Sequence, residues 1–401
     1  MRRGIAQIGY AFVGIFIILA LSNWLPSGDD AAEDPFQADA IRGPQFPSFT
    51  YGIQAFLWWD EYVASLALHW VKEAQFSHVK QFFAWQDLQP HDQTEWLFER
   101  SDEIVTETEE KEVALVIRLG GVPKWARRSQ DHSAEGEEVV DSPPAAEYTS
   151  AWAEYCGRVA QRYAGRIAGY QIWNEPNLAR EWGGGPVSAS EYIELLKACS
   201  AAIRKYDRQT IIISAGFAPT GTNDPQVAIA DDVFLRQLYE GEFQQYIDVL
   251  GAHAVGYTAP EFSPELAETI TERGRWASFR RIEDLRKIMI EEGDAHRQMA
   301  ILEMGWTTDP RPESQMAWFA VDEQTQAEYF YRAFLYAEEH WRPWVGLITL
   351  IYIADPAWTI QDEKYWWSLI RFHDDPRYEI LTPAFHALRE MPKVCDRADC
   401  P

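Results

Sequence analysis

Residues 168–177 read AGYQIWNEPN, a short apolar run that ends in Asn174, Glu175 and Pro176. The bulky apolar side chains predict a buried strand. Pro176 disfavours the helical conformation for the residue before it, so Glu175 is expected to leave the strand with an extended backbone. Further along, residues 192–206 carry apolar side chains at helical spacing. A strand, a loop with a carboxylate and a helix together predict one βα unit of a parallel sheet.

The same unit recurs along the chain. Residues 148–163 form a second convincing helical pattern, and Thr382 with Pro383 predicts the cap and first turn of a last helix that ends near Met391. Eight strands, each followed by a helical stretch, predict an α/β fold, a (β/α)8 barrel with a single catalytic domain. The predicted strands are residues 51–57, 78–83, 113–119, 168–173, 210–215, 247–253, 298–304 and 345–351.

The N-terminal segment differs from the rest of the chain. Arg2 and Arg3 precede an uncharged stretch from Gly4 to Gly28, which predicts an export signal at residues 1–26. Both a cleaved signal peptide and a membrane tether through residues 4–25 fit its length. In either case the catalytic domain is expected outside the cytoplasm, in an extracellular or membrane-anchored protein. Composition then predicts a flexible linker at 27–48, the catalytic domain at 49–392 and a tail at 393–401.

The charge balance restricts the partners. The chain has 36 Lys and Arg against 62 Asp and Glu, a formal charge of −26, which argues against nucleic acid as a partner. A neutral oligosaccharide or polysaccharide meets no such repulsion, and the 18 Trp side chains offer flat faces that stack on sugars. Ten of them follow predicted strands, where a barrel has its active site, although each could also be a core residue. These are Trp58, Trp59, Trp85, Trp125, Trp182, Trp306, Trp318, Trp358, Trp366 and Trp367.

The four cysteines fall into two pairs. Cys156 and Cys199 lie on the apolar stripes of predicted helices, so they are interpreted as small buried side chains. Cys395 and Cys400 lie in the polar tail and could form a disulfide in an exported protein. No Cys and His spacing resembles a metal site, so neither a metal nor another cofactor is expected.

A second carboxylate ends another apolar strand. Residues 298–306 read QMAILEMGW, in which Glu303 follows the apolar run and Gly305 permits a bend. Because the C-terminal ends of barrel strands converge, Glu175 and Glu303 are expected to face one site. Two carboxyl groups about 5–5.5 Å apart can cleave a glycosidic bond with retention of configuration, one as acid and base and the other as nucleophile. Their neighbours should then hold Glu303 ionised and Glu175 protonated.

The motifs around these carboxylates are recognisable. Trp-Asn-Glu-Pro-Asn at 173–177 and Leu-Glu-Met-Gly-Trp at 302–306 resemble the paired motifs of clan A glycoside hydrolases, a (β/α)8 group that includes families 5 and 39. The resemblance covers about residues 50–390. It implies that Glu175 is the general acid and base, that Glu303 is the nucleophile, and that Asn174 holds the sugar 2-hydroxyl.

Other positions resemble the clan less closely. His253 and Tyr257 are similar to its strand-6 His and Tyr, but the spacing His-Ala-Val-Gly-Tyr is longer than His-x-Tyr. Lys80 stands where family 5 commonly has Arg at the end of strand 2. Arg118 on strand 3 could compensate, or it could form a salt bridge inside the barrel. The substrate and its subsites are therefore less defined than the reaction.

Aromatic residues complete the predicted site. Tyr352 or Trp358 would take the place of the Trp that is typical of the end of strand 8. Trp85 and Trp306 are expected to stack on the substrate, a neutral and β-linked glycan. Two alternatives remain: an inactive barrel that only binds carbohydrate, which the presence of both carboxylates disfavours, and a metal-dependent barrel hydrolase, which the lack of clustered His or Asp disfavours.

Overall fold

The computed structural model describes residues 34–47, 49–128, 141–373 and 378–394. The described residues from Phe36 onward belong to one compact unit. The predicted export segment at 1–26 and the predicted Cys395–Cys400 disulfide lie outside the described residues. Within those residues, no helix combines the length and apolar character that crossing a bilayer requires.

Eight parallel strands form the central sheet, in the order β5-β4-β3-β2-β1-β8-β7-β6. A parallel bridge between Ile213 and Val249 joins the two ends, and Ser214 N donates to Val249 O at 3.2 Å. The sheet therefore closes into a (β/α)8 barrel, and the predicted fold and all eight predicted strands are confirmed. The strands are β1 Thr50–Gln54, β2 His78–Ala84, β3 Ala114–Gly120, β4 Gly169–Ile172, β5 Ile211–Ile213, β6 Leu250–Val255, β7 Met299–Gly305 and β8 Val345–Leu350.

Helices follow the strands. Side-chain caps fix several of their starts: Asp60 accepts from Val63 N, and Thr382 accepts from Phe385 N as predicted for the last helix. The helices predicted around residues 148–163 and 192–206 are also present. The helices are α1 Glu61–Glu73, α2 Trp85–Leu88, α3 Glu99–Glu110, α4 Thr149–Arg162, α5 Ala189–Tyr206, α6 Asp231–Glu240, α7 Pro264–Thr271, α8 Ile282–Glu291, α9 Glu323–His340 and α10 Pro383–Glu390.

Residues 36–47 close the N-terminal end of the barrel. Phe46 is buried among strand residues such as Val116 and Leu347. Its backbone N–H donates to the Gln298 side chain at 2.9 Å, and a Cβ at Gly346 would lie 2.7 Å from the Phe46 Cβ. The second half of the predicted linker at 27–48 is thus part of the folded body, and the prediction is wrong there. A buried aromatic within a stretch rich in Pro and Gly is the physical reason.

Helices α4 and α5 are joined covalently. Cys156 on α4 and Cys199 on α5 form a disulfide with an S–S distance of 2.05 Å. Both side chains are buried, as predicted, but the sequence did not predict the bond between them. Each cysteine lies on the apolar stripe of its helix, and packing of the two stripes against each other brings the two sulfurs together.

Candidate active site

Glu175 leaves β4 through an unusual turn. Trp173 has a φ of 72° and Glu175 a φ of 40°, both in the left-handed region. The predicted extended conformation is therefore wrong. Pro176 disfavours the right-handed helical region, and a left-handed turn avoids that region as well. The Glu175 N–H donates to Gly216 O at 3.0 Å and holds the turn. Such backbone in residues other than glycine is concentrated at functional sites.

A chain of aromatic rings supports this turn from behind. The buried Trp173 ring packs against Trp152 and Trp182, with ring centroids 5.9 and 5.5 Å apart, and its Nε1 donates to Glu181 O at 3.1 Å. Trp85 extends the chain by contacting Trp152 at 6.1 Å. Trp85 is fully buried, so its predicted role in stacking on substrate is wrong. Its position after a strand did not reveal that it points into the core.

Trp306 is also a core residue. It is fully buried, its Nε1 donates to Thr258 O at 2.9 Å, and its ring contacts Phe330 at 5.4 Å. A Cβ at Gly256 would lie 1.9 Å from the Trp306 ring, so only glycine fits there. The predicted stacking of Trp306 on substrate is wrong, and this close approach accounts for the glycine between His253 and Tyr257.

A register shift turns Glu303 toward the interior of the barrel. Between β6 and β7, Ala252 pairs with Ile301 but His253 pairs with Glu303, so Leu302 is an extra residue. Without this bulge the alternation of side chains would place Leu302 and Glu303 on opposite faces. The shift instead places Glu303 beside His253. Lys80 lies next to it, with Nζ 3.5 Å from Glu303 Oε1 and 2.7 Å from Leu302 O.

The two carboxylates share one site. Glu175 is 8% exposed and Glu303 is 9% exposed. One oxygen of each, together with a ring nitrogen of His253, lie within 4.8 Å of one another, which is close to the separation that retention requires. His253 Nδ1 lies 3.0 Å from Glu175 Oε1 and 3.8 Å from Glu303 Oε2. A proton on Nδ1 suits this contact, because His253 Nε2 is buried without a partner among the described residues.

The charges around Glu175 favour its ionised form. Burial raises the pKa of Glu175, but the hydrogen bond and charge of His253, with the charge of Arg180, outweigh burial and lower the pKa to about 2. Arg180 lies 3.2 Å from Glu175 Oε2. The expectation that its neighbours hold Glu175 protonated is therefore wrong for this structure. Nothing in the sequence indicated Arg180, whose place depends on the short turn at Ala179–Glu181.

The Lys80 ammonium group, which lies beside Glu303, is shielded from solvent. Lys80 is buried, and burial lowers its pKa to about 8 against the opposing effect of the Glu303 charge. Lys80 thus lies beneath the carboxylate rather than in the cleft, which makes it a residue that positions Glu303. Glu175, His253 and Glu303 could in principle hold a metal ion. Lys80 and Arg180, one next to each carboxylate, oppose a divalent cation, and the absence of a metal stays a prediction.

Aromatic residues at the mouth of the barrel fall into two groups. Tyr352 follows β8 and packs with Phe56 at 5.8 Å and Trp358 at 5.1 Å, all three partly exposed. Burial and the nearby Glu303 carboxylate raise the pKa of Tyr352 well above its usual range. Tyr257 instead stacks on Trp318 at 5.4 Å. No hydrogen bond joins it to either carboxylate in the described part of the chain.

Asn174 lies between Glu175 and a second pocket. Its side-chain oxygen accepts from Gln171 Nε2 at 3.3 Å, and the residue lines this pocket with Arg118 and Glu181. The salt bridge inside the barrel that was one interpretation of Arg118 is not formed among the described residues. Its guanidinium instead lies 3.9 Å over the ring of Phe82.

The remaining tryptophans divide by exposure. Trp59 and Trp318 are exposed, whereas Trp182 and Trp367 are buried. The partly exposed ones are Trp58, Trp125, Trp358 and Trp366. The mouth of the barrel therefore carries aromatic side chains, but fewer than the ten that the sequence suggested.

No protein-family model and no curated protein matches the chain. Several solved structures are similar to it in fold. A family 39 glycoside hydrolase from Bacteroides cellulosilyticus has a TM-score of 0.57 at 14% identity, over 86% of this chain and 63% of its own. A family 39 β-xylosidase from Caulobacter crescentus has a TM-score of 0.56 at 14% identity, over 87% and 72%. A family 10 endoxylanase from a sugarcane soil metagenome has a TM-score of 0.55 at 15% identity, over 90% and 99%.

These similarities concern the fold. The chain spans less than two thirds of the length of the Bacteroides structure. An endoglucanase from Thermotoga maritima, Cel5A, is a further match with a TM-score of 0.50 at 15% identity, over 88% of this chain and 99% of its own. The expected resemblance to clan A glycoside hydrolases, including families 5 and 39, is confirmed as a resemblance of fold.

Proposed function

We propose that the protein is a retaining glycoside hydrolase that cleaves β-linked bonds in a neutral oligosaccharide or polysaccharide. The observation that carries the proposal is the placement of Glu175 and Glu303 at the ends of β4 and β7, with carboxylate oxygens within 4.8 Å. The similarity of the fold to glycoside hydrolases, two of them active on xylosides or xylan by name, supports the reaction class.

Glu303 is assigned as the nucleophile. Its ionised oxygen attacks the anomeric carbon and forms a glycosyl ester, while Glu175 gives a proton to the departing oxygen. In the second step Glu175 takes a proton from water, and the water oxygen displaces Glu303 from the anomeric carbon. Lys80 is buried against Glu303, so it fixes the orientation of the attacking carboxylate.

Glu175 must carry a proton when the bond breaks, although His253 and Arg180 favour its ionised form. The Arg180 side chain is half exposed and can move, whereas His253 is buried. A leaving group that binds beside Glu175 would displace Arg180 and remove a positive charge, which raises the pKa of the carboxyl group. Substrate binding would in this way prepare the acid.

The charge of the chain supports a neutral substrate, since a formal charge of −26 repels acidic glycans. Tyr352 lies near Glu303 and packs with Phe56 and Trp358, and these three rings present aromatic surface for a sugar ring. None of these steps uses a metal or another cofactor.

Digestion of a glycan panel, followed by proton NMR of the first product, tests the proposal. We expect release of a reducing sugar with the anomeric configuration of the substrate. The inverted anomer as the first product would overturn both assigned roles. A protein that binds a glycan and never releases product would instead be an inactive carbohydrate-binding barrel.

A further inference from the structure

Beside the two carboxylates lies a pocket that the proposed reaction does not use. It is formed at the ends of β2 and β3 and by the loops that follow β3 and β4. Its lining residues include Phe82, Arg118, Gly121, Asp141, Asn174 and Glu181. Asn174 belongs both to this pocket and to the catalytic turn, so a ligand in the pocket would be continuous with one at Glu175.

Glu181 is a buried acid whose carboxyl group has no partner in the described part of the chain. It is 6% exposed, and its carboxylate makes no hydrogen bond or ion pair with any described residue. Burial, followed by the charge of Glu175, raises its pKa to about 8. A buried carboxyl group that is left unpaired is costly, and such groups in folded proteins usually have a partner. A ligand that donates a hydrogen bond would supply one.

Arg118 lines the same pocket, and its N–H groups are available to donate hydrogen bonds to a ligand. Its guanidinium is held flat over Phe82 at 3.9 Å, and among the described residues it has no acceptor for its N–H groups. Its charge acts on Glu181 and on Lys80 without a direct contact to either. An arginine stacked in this way is oriented before a ligand arrives, which reduces the entropy cost of binding.

Asp141 differs from Glu181 because its hydrogen bonds are already made. It accepts from the backbone N–H groups of Gly121 at 2.6 Å, Val122 at 3.2 Å and Ser142 at 2.8 Å. It therefore holds the loop after β3 in place. Gly121 has a φ of 66°, and a Cβ there would lie 2.6 Å from the Ala84 Cβ, so the backbone itself forms this wall.

We propose that this pocket is a subsite that binds two neighbouring hydroxyl groups of a neutral sugar unit, with Arg118 donating to one oxygen and Glu181 accepting from the other hydroxyl. Hydroxyl groups suit the pocket because each can both donate and accept. A ligand carboxylate or phosphate would lie near the charge of Glu175, which already acts on the Glu181 carboxyl group. The assignment rests on the proposed function, since it takes the ligand to be a sugar.

Calorimetric titration of the full-length Glu303→Gln protein tests the subsite without turnover. The probes are xylotetraose, cellotetraose, mannotetraose and a xylo-oligosaccharide that carries glucuronic acid. For the neutral oligosaccharide that binds best, adding Arg118→Met or Glu181→Leu should weaken binding about 10-fold or more, the loss expected when one partner of a buried hydrogen bond is removed. Glu181→Gln should keep part of the affinity, because an amide can still form a hydrogen bond.

The matched controls are Arg158→Met and Glu154→Leu, which remove an exposed ion pair of 2.9 Å on α4 and should leave binding unchanged. The melting temperature separates binding from a structural role: Glu181→Leu should not lower it, because the Glu181 carboxyl group has no partner to lose among the residues that the structure describes. Unchanged affinity in Arg118→Met or Glu181→Leu, binding of the acidic oligosaccharide alone, or binding of none of the probes would overturn the subsite. Loss of binding in these variants with no product from the wild type would count only against the hydrolase.

Discussion

Replacing each of the two carboxylates by an amide should have a different effect on catalysis. Glu303→Gln should abolish turnover with the fold intact, because an amide cannot form the glycosyl ester. Glu175→Gln should lose about 100-fold to 10,000-fold in kcat on substrates whose leaving group needs a proton, and much less on activated aryl glycosides. Added azide should rescue Glu175→Gln and yield a glycosyl azide of the substrate's configuration.

Product analysis of the azide reaction and circular dichroism of both variants provide the measurements. Rescue of Glu303→Gln with retained configuration, or equal losses for Glu175→Gln on both kinds of substrate, would contradict the assigned roles.

Arg180 leads to a prediction about pH. The positive charge lowers the pKa of Glu175, so Arg180→Met should raise that pKa and keep the acid protonated at higher pH. The basic limb of the kcat/KM profile reports the acid of the free enzyme, so it should move to higher pH, by about one unit. Arg158→Met is the control and should leave the profile in place. A basic limb that stays or moves to lower pH would show that Arg180 does not set this pKa.

Among the site residues, those at the ends of strands could be predicted from the sequence. Those whose position depends on how the loops and side chains pack could not. Glu175 and Glu303 could be identified because each is a charged residue that ends an apolar strand within a recognisable motif. Arg180 and Glu181 follow Glu175 by five and six residues, and only the turn at Ala179–Glu181 decides which of them faces the site. For Trp85 and Trp306, position after a strand does not distinguish the cleft from the core.

The loops after the strands yield a prediction about tryptophan. Trp306→Ala should destabilise the fold by roughly 3–5 kcal/mol, because the ring is fully buried. Trp358→Ala should leave the melting temperature nearly unchanged and weaken substrate binding about 10-fold, since its partly exposed ring lies beside Tyr352. Thermal unfolding and KM on the true substrate measure the two effects. The stacking role fails if Trp358→Ala has normal kinetics.

The disulfide between α4 and α5 leads to a prediction about thermal stability. The disulfide closes a sequence separation of 43 residues, for which the chain-entropy relation gives about 4 kcal/mol of stabilisation. Cys156→Ala with Cys199→Ala should therefore lower the melting temperature by several degrees. A reductant that acts under unfolding conditions should lower the melting temperature of the wild type but leave the melting temperature of the double variant unchanged. Peptide mapping without reduction should recover a linked pair of peptides, and two free thiols at these positions would contradict the structure.

The helices themselves were predictable, and the bond between them was not. Apolar side chains at helical spacing indicated the existence of α4 and α5, since that periodicity is a local property of the chain. Whether Cys156 and Cys199 face each other depends on how the two helices pack. The bulge in β7 that turns Glu303 toward His253 is likewise set by the pairing of strands, which the spacing of apolar residues in one strand does not contain.

For the whole molecule, alternation of strands and helices was enough to predict the barrel, because eight such units have few ways to close. The burial of Phe46 at the N-terminal end of the barrel could not be predicted, because a single aromatic residue among Pro and Gly has no periodic pattern. The disulfide adds an observation at this scale. Disulfides persist in oxidising compartments and are rare in the cytosol, which agrees with the export predicted from Arg2, Arg3 and the uncharged residues 4–28.

We therefore predict that the body from residue 36 onward resides outside the cytoplasm. Protease added to intact cells or spheroplasts should digest it, while a cytoplasmic marker survives. Removal of residues 2–26 provides the matched control, because this chain should remain in the cytoplasm, resist the protease, and carry Cys156 and Cys199 as thiols. Since both chains share the same barrel, a difference in thiol state would reflect the compartment rather than the fold. A full-length chain found only in the soluble cytoplasm, with both cysteines reactive toward a thiol reagent after denaturation, would refute export.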